Sequence, residues 1–133
     1  MESRITRITL GVADMQRAIL FYNEGLGFSL SEVNEYSATF QMEGVVLSLV
    51  PWDILTDDAN VNNEGEGFDG FVLSHYVNSN DEVHKIISDA ETAGAHVTKR
   101  ATKKRDGGYS GYFSDMDGYV WEVAFYPSAP ISL

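Results

Sequence analysis

A chain of 133 residues has the usual size of one domain and can bury a core, and its 44% apolar and 22% charged residues are ordinary for a globular protein. Twenty acids against nine bases give a net charge of −11. That balance argues against a nucleic-acid partner, because such binders need basic side chains to displace counterions from phosphates. There is no cysteine, so disulfides and thiolate metal or redox sites are excluded. No apolar run approaches the roughly 18 residues of a spanning helix. The opening MESRITRITL is too polar for a signal peptide, so cytoplasmic residence with no membrane partner is expected.

In residues 5–12, Ile8, Leu10 and Val12 alternate with Arg7, Thr9 and Gly11, the period of a half-buried strand. Asp14 is placed to cap a helix, since its carboxylate can accept from the orphan N–H groups of a first turn. Met15, Ala18, Ile19 and Tyr22 fall at helical spacing and predict a helix over 15–24, ended by Gly25 and Gly27. Strand-like stretches follow at 28–34, 36–41 and 45–50, with a hairpin turn at Glu43-Gly44. The stretch 52–69 is polar, acidic and rich in Asn and Gly, and reads as a linker.

The pattern then returns. Phe71, Leu73, His75 and Val77 share one strand face, with Val72, Ser74 and Tyr76 on the other. Ser79 through Glu82 form a capping box ahead of the helical stripe Val83, Ile86, Ile87 and Ala90, predicting a helix over 81–93 that Gly94 ends. Strands are expected at 96–100, 110–114 and 119–125, with a turn at Asp117-Gly118. Val12 matches Val77 at a strand end, and Gly44 matches Gly118 before a last strand. Two copies of one unit suggest a paired architecture. Each unit should bury one sheet face under its own helix, leaving the opposite faces to line a shared cleft.

Residues 5–28, ITRITLGVADMQRAILFYNEGLGF, resemble the opening of a vicinal-oxygen-chelate module, the unit of the glyoxalase, bleomycin-resistance and dioxygenase proteins. Residues 110–127, SGYFSDMDGYVWEVAFYP, resemble the closing strand pair of a second module. The resemblance covers nearly the whole chain. It implies an α+β fold of two βαβββ repeats whose mixed sheets curve around a shared cleft, in a single domain spanning 1–133. The first module would occupy 4–52, the linker 53–69, the second module 70–127 and a tail 128–133. Members commonly dimerise, so a homodimer with two equivalent clefts is expected.

In the metal-dependent members the resemblance places four ligands early in the first strand and midway along the last strand of each module. Those positions carry Arg7, Ser48, Val72 and Glu122 here. Arginine has no acceptor and valine no donor atom, so only Glu122 is a competent ligand. No metal and no other cofactor is therefore expected. His75 falls on the helix-facing side of its strand, His84 off the apolar stripe of its helix, and His96 at the start of a strand; none makes a site alone.

Arg7 and Glu122 should face the cleft. Arginine can hold a buried carboxylate ionised through a forked pair. One reading is thus an internal ion pair, or separate pairs with neighbours. The other has Arg7 binding an anionic group while Glu122, the candidate catalytic residue, orients a donor or acts as a base. Ser48, Ser74, Tyr76 and Tyr112 complete the candidate ligand-binding set, and Trp52 and Tyr109 lie near elements that border the cleft. Residues 103–108, KKRDGG, read either as a lid or as a solvated hairpin. The leading functional expectation is a metal-independent member binding a small organic ligand, with lyase or isomerase chemistry open to it. Two alternatives stand beside it. One is a non-catalytic drug-binding resistance protein, and the other is a metal-dependent lactoylglutathione lyase-like enzyme or dioxygenase.

Overall fold

The computed structural model describes residues 1–60, 69, 71–104 and 107–127. The chain forms two compact units, Met1–Gly65 and Glu66–Leu133. In the first, strand β1 (Arg7–Val12) leads into helix α1 (Met15–Leu20), then β2 (Leu30–Val33), β3 (Ala38–Gln41), β4 (Val46–Pro51) and helix α2 (Trp52–Ala59). The sheet order is β1-β4-β3-β2, with β1 parallel to β4 and the other neighbours antiparallel. In the second, β5 (Leu73–Val77) leads into α3 (Asn80–Thr92), β6 (His96–Lys103), β7 (Tyr109–Ser114) and β8 (Val120–Phe125). Its order, β5-β8-β7-β6 with β5 parallel to β8, repeats that of the first unit. A parallel pair needs a crossover, and the helix after β1 and β5 supplies it.

The helix starts follow their caps. The Asp14 carboxylate accepts from the Arg17 amide at 3.0 Å, and the Ser79 hydroxyl accepts from the Glu82 amide at 3.1 Å. Glu82 reaches back to the Asn78 amide, one residue before the cap, so the box closes a residue wider than its standard form. The helix expected over 15–24 changes character after Leu20, widening into a π turn at Phe21–Gly25, where the Leu26 amide donates to the Phe21 carbonyl. The wider turn lets two adjacent aromatics, Phe21 and Tyr22, both point inward, 2% and 0% exposed. Tyr22 and Phe28 pack around Phe40, with ring centres 6.2 and 6.4 Å from it. Phe40 pairs with Leu47 across the ladder and shares its face with Leu10 and Leu49, all buried. Truncating Phe40 to alanine would cost about 3–5 kcal/mol through lost burial and the cavity left behind.

The second core lies under α3. Val83, Ile87 and Ala90 are buried with Phe113, Trp121 and Val123, and the Phe113 and Trp121 rings stack 6.3 Å apart. Ile87 sits so close over Gly111 that a β-carbon there would come within 2.2 Å of its Cδ1 atom. This contact fixes which face is which: Gly111, Phe113, Trp121 and Val123 look toward α3. Tyr112 and Glu122 look away. At the β7–β8 turn the buried Asp115 carboxylate accepts from the amides of Asp117 and Tyr119, with Gly118 at φ +88°.

Several expectations are corrected. The stretch read as a linker opens with helix α2, whose Trp52 ring lies over Gly11 and whose end is capped by Asn60 in left-handed conformation. Polar composition concealed a helix that needs only Trp52, Leu55 and Thr56 on its inner side. The rest of that stretch, 61–68, together with residue 70, residues 105 and 106 of the KKRDGG loop read as lid or hairpin, and the tail 128–133, lies outside the described residues. Strand β6 runs to Lys103, three residues further than expected. Tyr109 pairs with Phe125 on the α3 side, where its hydroxyl and the imidazole of His84, exposed off the apolar stripe as expected, share a hydrogen bond, so Tyr109 does not stand beside the other site tyrosines. His75 is exposed on β5 at the sheet edge, and His96 is exposed at the start of β6.

Candidate functional site

On the face of the second sheet turned away from α3, one cross-strand row carries the chemistry. Register places Ser74 of β5 and Tyr112 of β7 on either side of Glu122 of β8. Side chains opposite one another on neighbouring strands stand about 5 Å apart, so three polar residues in one row must interact. The Ser74 hydroxyl donates to Oε1 of Glu122 at 2.9 Å, and the Tyr112 hydroxyl donates to Oε2 at 3.0 Å. The third donor comes from beyond β6, where the Lys104 ammonium reaches Oε2 at 2.8 Å and the Tyr126 hydroxyl at 2.9 Å. Tyr126 in turn lies against Tyr76, ring centres 5.2 Å apart.

Glu122 is only 6% exposed. Burial by itself drives its carboxyl upward, yet the hydrogen bonds from Lys104, Ser74 and Tyr112 outweigh that and leave it below its ordinary value. Lys104 is raised above the usual lysine range, first by its bond to the Glu122 carboxylate and then by Tyr126. Burial and the bond to Glu122 raise Tyr112. Glu122 and Lys104 therefore hold fixed charges, carboxylate and ammonium, across neutral pH, and Tyr112 stays a neutral donor.

The equivalent row of the first sheet is built from hydroxyls. Thr9 of β1 and Thr39 of β3 flank Ser48 of β4 in register. Ser48 is 1% exposed, accepts from Nη1 of Arg7 at 2.9 Å, and lies 3.5 Å from the Thr39 hydroxyl. Of the expected site residues, Ser74, Tyr112 and Glu122 come together directly, Tyr76 joins them through Tyr126, and Arg7 and Ser48 join each other. Arg7 and Glu122 each find partners within their own unit, Ser48 for Arg7 and Ser74, Tyr112 and Lys104 for Glu122. Lys104 and Tyr126 were not anticipated as site residues. The tyrosine follows β8 four residues beyond Glu122, and the same-face spacing was the available signal; the lysine lay inside a basic run that resembled solvated loop.

The family's divalent metal does not fit these residues. Arg7 brings a fixed positive charge, Val72 no donor atom, and the Ser48 hydroxyl is engaged by Arg7. Both oxygens of Glu122 are engaged, one by an ammonium. Among the described residues, no group of three or more His, Asp or Glu could hold a metal ion.

Two four-stranded βαβββ sheets, each with a polar row on one face, define the class to which the chain must be compared. It matches the model of the Glyoxalase/Bleomycin resistance protein/Dioxygenase superfamily over residues 4–123 and belongs to that superfamily. A glyoxalase-related enzyme from Fulvimarina pelagi superposes with a TM-score of 0.91 at 31% identity, over 98% of this chain and 94% of the other. A superfamily enzyme from Burkholderia phytofirmans PsJN superposes at 0.84 with 16% identity, covering 93% and 99%. Lactoylglutathione lyase from Agrobacterium tumefaciens does so at 0.70 with 21% identity, covering 94% and 95%. The last two likenesses are of fold alone. No curated protein matches the sequence. Among the described residues, no helix is long and apolar enough to cross a membrane.

Proposed function

We propose that this superfamily member binds a small organic ligand on the polar face of its second sheet without a metal, and forms a homodimer. The observation that carries the reading is the buried Glu122 carboxylate gathering donors from Ser74, Tyr112 and Lys104 on a face that α3 leaves uncovered. An ammonium thus takes the electrostatic part that a divalent ion plays in metal-dependent relatives, and Tyr76 and Tyr126 offer aromatic surface beside it. A ligand would exchange hydrogen bonds with this row and stack on the tyrosines.

The resting arrangement favours binding over turnover. A general base works best with a pKa near the working pH. Here Glu122 is pushed down, while Lys104 and Tyr112 are pushed up, each away from neutrality. Lyase or isomerase chemistry would require a ligand to draw Lys104 from Glu122, after which burial would lift the carboxyl toward a base's range. Sequestration, as in a drug-binding resistance protein, needs no such step.

Titration of isotope-labelled protein with a library of small organic fragments tests this reading by NMR. Shifts should concentrate at Ser74, Tyr76, Tyr112 and Glu122, and weaken in Tyr112→Phe. Shifts concentrated elsewhere, or a library without a single binder, would overturn it.

A further inference from the structure

Arg7 is a basic residue whose placement the proposed function does not use. Its guanidinium carries five N–H donors, and one of them goes to Ser48 at 2.9 Å. Among the described residues it has no carboxylate partner, although the chain holds twenty acids against nine bases. Arg4, Lys85, Arg100 and Lys104 each face a carboxylate. Arg7 instead faces hydroxyls: Ser48, and through it Thr39 at 3.5 Å. Arg7 is exposed on β1, and the buried Ser48 hydroxyl anchors one edge of its guanidinium.

We propose that Arg7, steadied by Ser48, is a binding site for the carboxylate of a small monocarboxylic acid. One positive charge with no carboxylate in ion-pair reach among the described residues matches a monoanion, where a phosphate dianion would leave charge uncompensated. The planar fork offers two parallel N–H bonds, the geometry that a carboxylate accepts best. The same face is bounded further along β1 by α2, whose Trp52 and Leu55 side chains lie against Gly11.

The site lies wholly in the first unit and goes beyond the proposed function, which rests on the second. Benzoate is the probe, followed by amide shifts and the Arg7 Nε–H resonance. Saturable shifts are expected at Arg7, Thr39 and Ser48, with benzamide giving none at the same concentrations. Arg7→Gln should weaken benzoate about tenfold or more while leaving the dispersed spectrum of the folded protein. Arg7→Lys, which keeps the charge and loses the fork, should fall between. Benzoate affinity unchanged in Arg7→Gln, or equal binding of benzamide, would overturn the proposal. Inorganic phosphate displacing benzoate at equal concentration would also overturn it, by showing a general anion site. Resonances of β1, β3 and β4 report this site, and those of β5, β7 and β8 report the other, so either reading can fail alone.

Discussion

Replacing Lys104 with methionine removes the ammonium while keeping most of the stem beside Tyr126. At 2.8 Å, with an effective dielectric of about 20, the bare attraction to Glu122 is about 6 kcal/mol. Desolvation of both charges offsets most of this, and a charge-assisted hydrogen bond nets about 1.5–3 kcal/mol. The Lys104 side chain is 28% exposed, so solvent screening favours the lower end, about 1.5 kcal/mol. Loss of that bond should let the Glu122 carboxyl rise toward its ordinary value. The pH dependence follows from the shifts. Glu122 is depressed in the folded protein, so its contribution is present above the ordinary glutamate value and lost as pH falls through its folded value. Lys104 is raised, so its contribution is full below the ordinary lysine value and lost only as pH climbs through its folded value. The variant should therefore be less stable than the parent between about pH 5 and pH 10, with the gap closing in acid. Urea unfolding across pH, with carbon-13 titration of the Glu122 carboxyl, measures both quantities. A stability gap that persists unchanged into acid, or a carboxyl that titrates as in the parent, would refute the reasoning.

Gly111→Ala should destabilise by about 1–3 kcal/mol in urea melts, because its β-carbon would collide with Ile87 and press on the Ala101 backbone. Ser79→Ala removes the cap of α3 and should cost about 1 kcal/mol, with Ser79→Asp restoring most of it. Light scattering at micromolar concentration should give twice the monomer mass, and a monomer would contradict the proposed homodimer.

The repeat was legible because its signals are local. Alternation in β1 and β5, the Asp14 and Ser79 caps, and glycines at 44 and 118 each act within a few residues; the caps and glycines stand where expected, while β1 and β5 each begin two residues later than read, which leaves Phe71 and Val72 outside β5. The π turn was not legible, since Phe21 and Tyr22 satisfy helical spacing before the turn widens. Helix α2 was hidden because its polar outer side dominates its composition. At the site, the family resemblance singled out Glu122, alternation put Ser74 on one face with Tyr76, and Tyr112 was named for the element that carries it; the register of β5, β8 and β7 brings Ser74, Glu122 and Tyr112 into one row. Lys104 was missed because its role depends on where β6 ends, and β6 runs three residues past the expected boundary. A basic run in sequence looks solvated until the ladder shows which of its members turns back over the sheet. Tyr109 failed for a related reason: alternation was applied to β8 and not carried across to its neighbour β7.

Metal content tests the central claim most directly, because the account replaces a divalent ion with the Lys104 ammonium. Protein purified without an affinity tag should show no stoichiometric Zn, Ni, Fe or Mn by elemental analysis. Its melting temperature should be indifferent to chelator and to each added metal, since a ligand stabilises only by binding the native state. One equivalent of metal, lost together with its stabilisation when Glu122 is changed to alanine, would contradict the account.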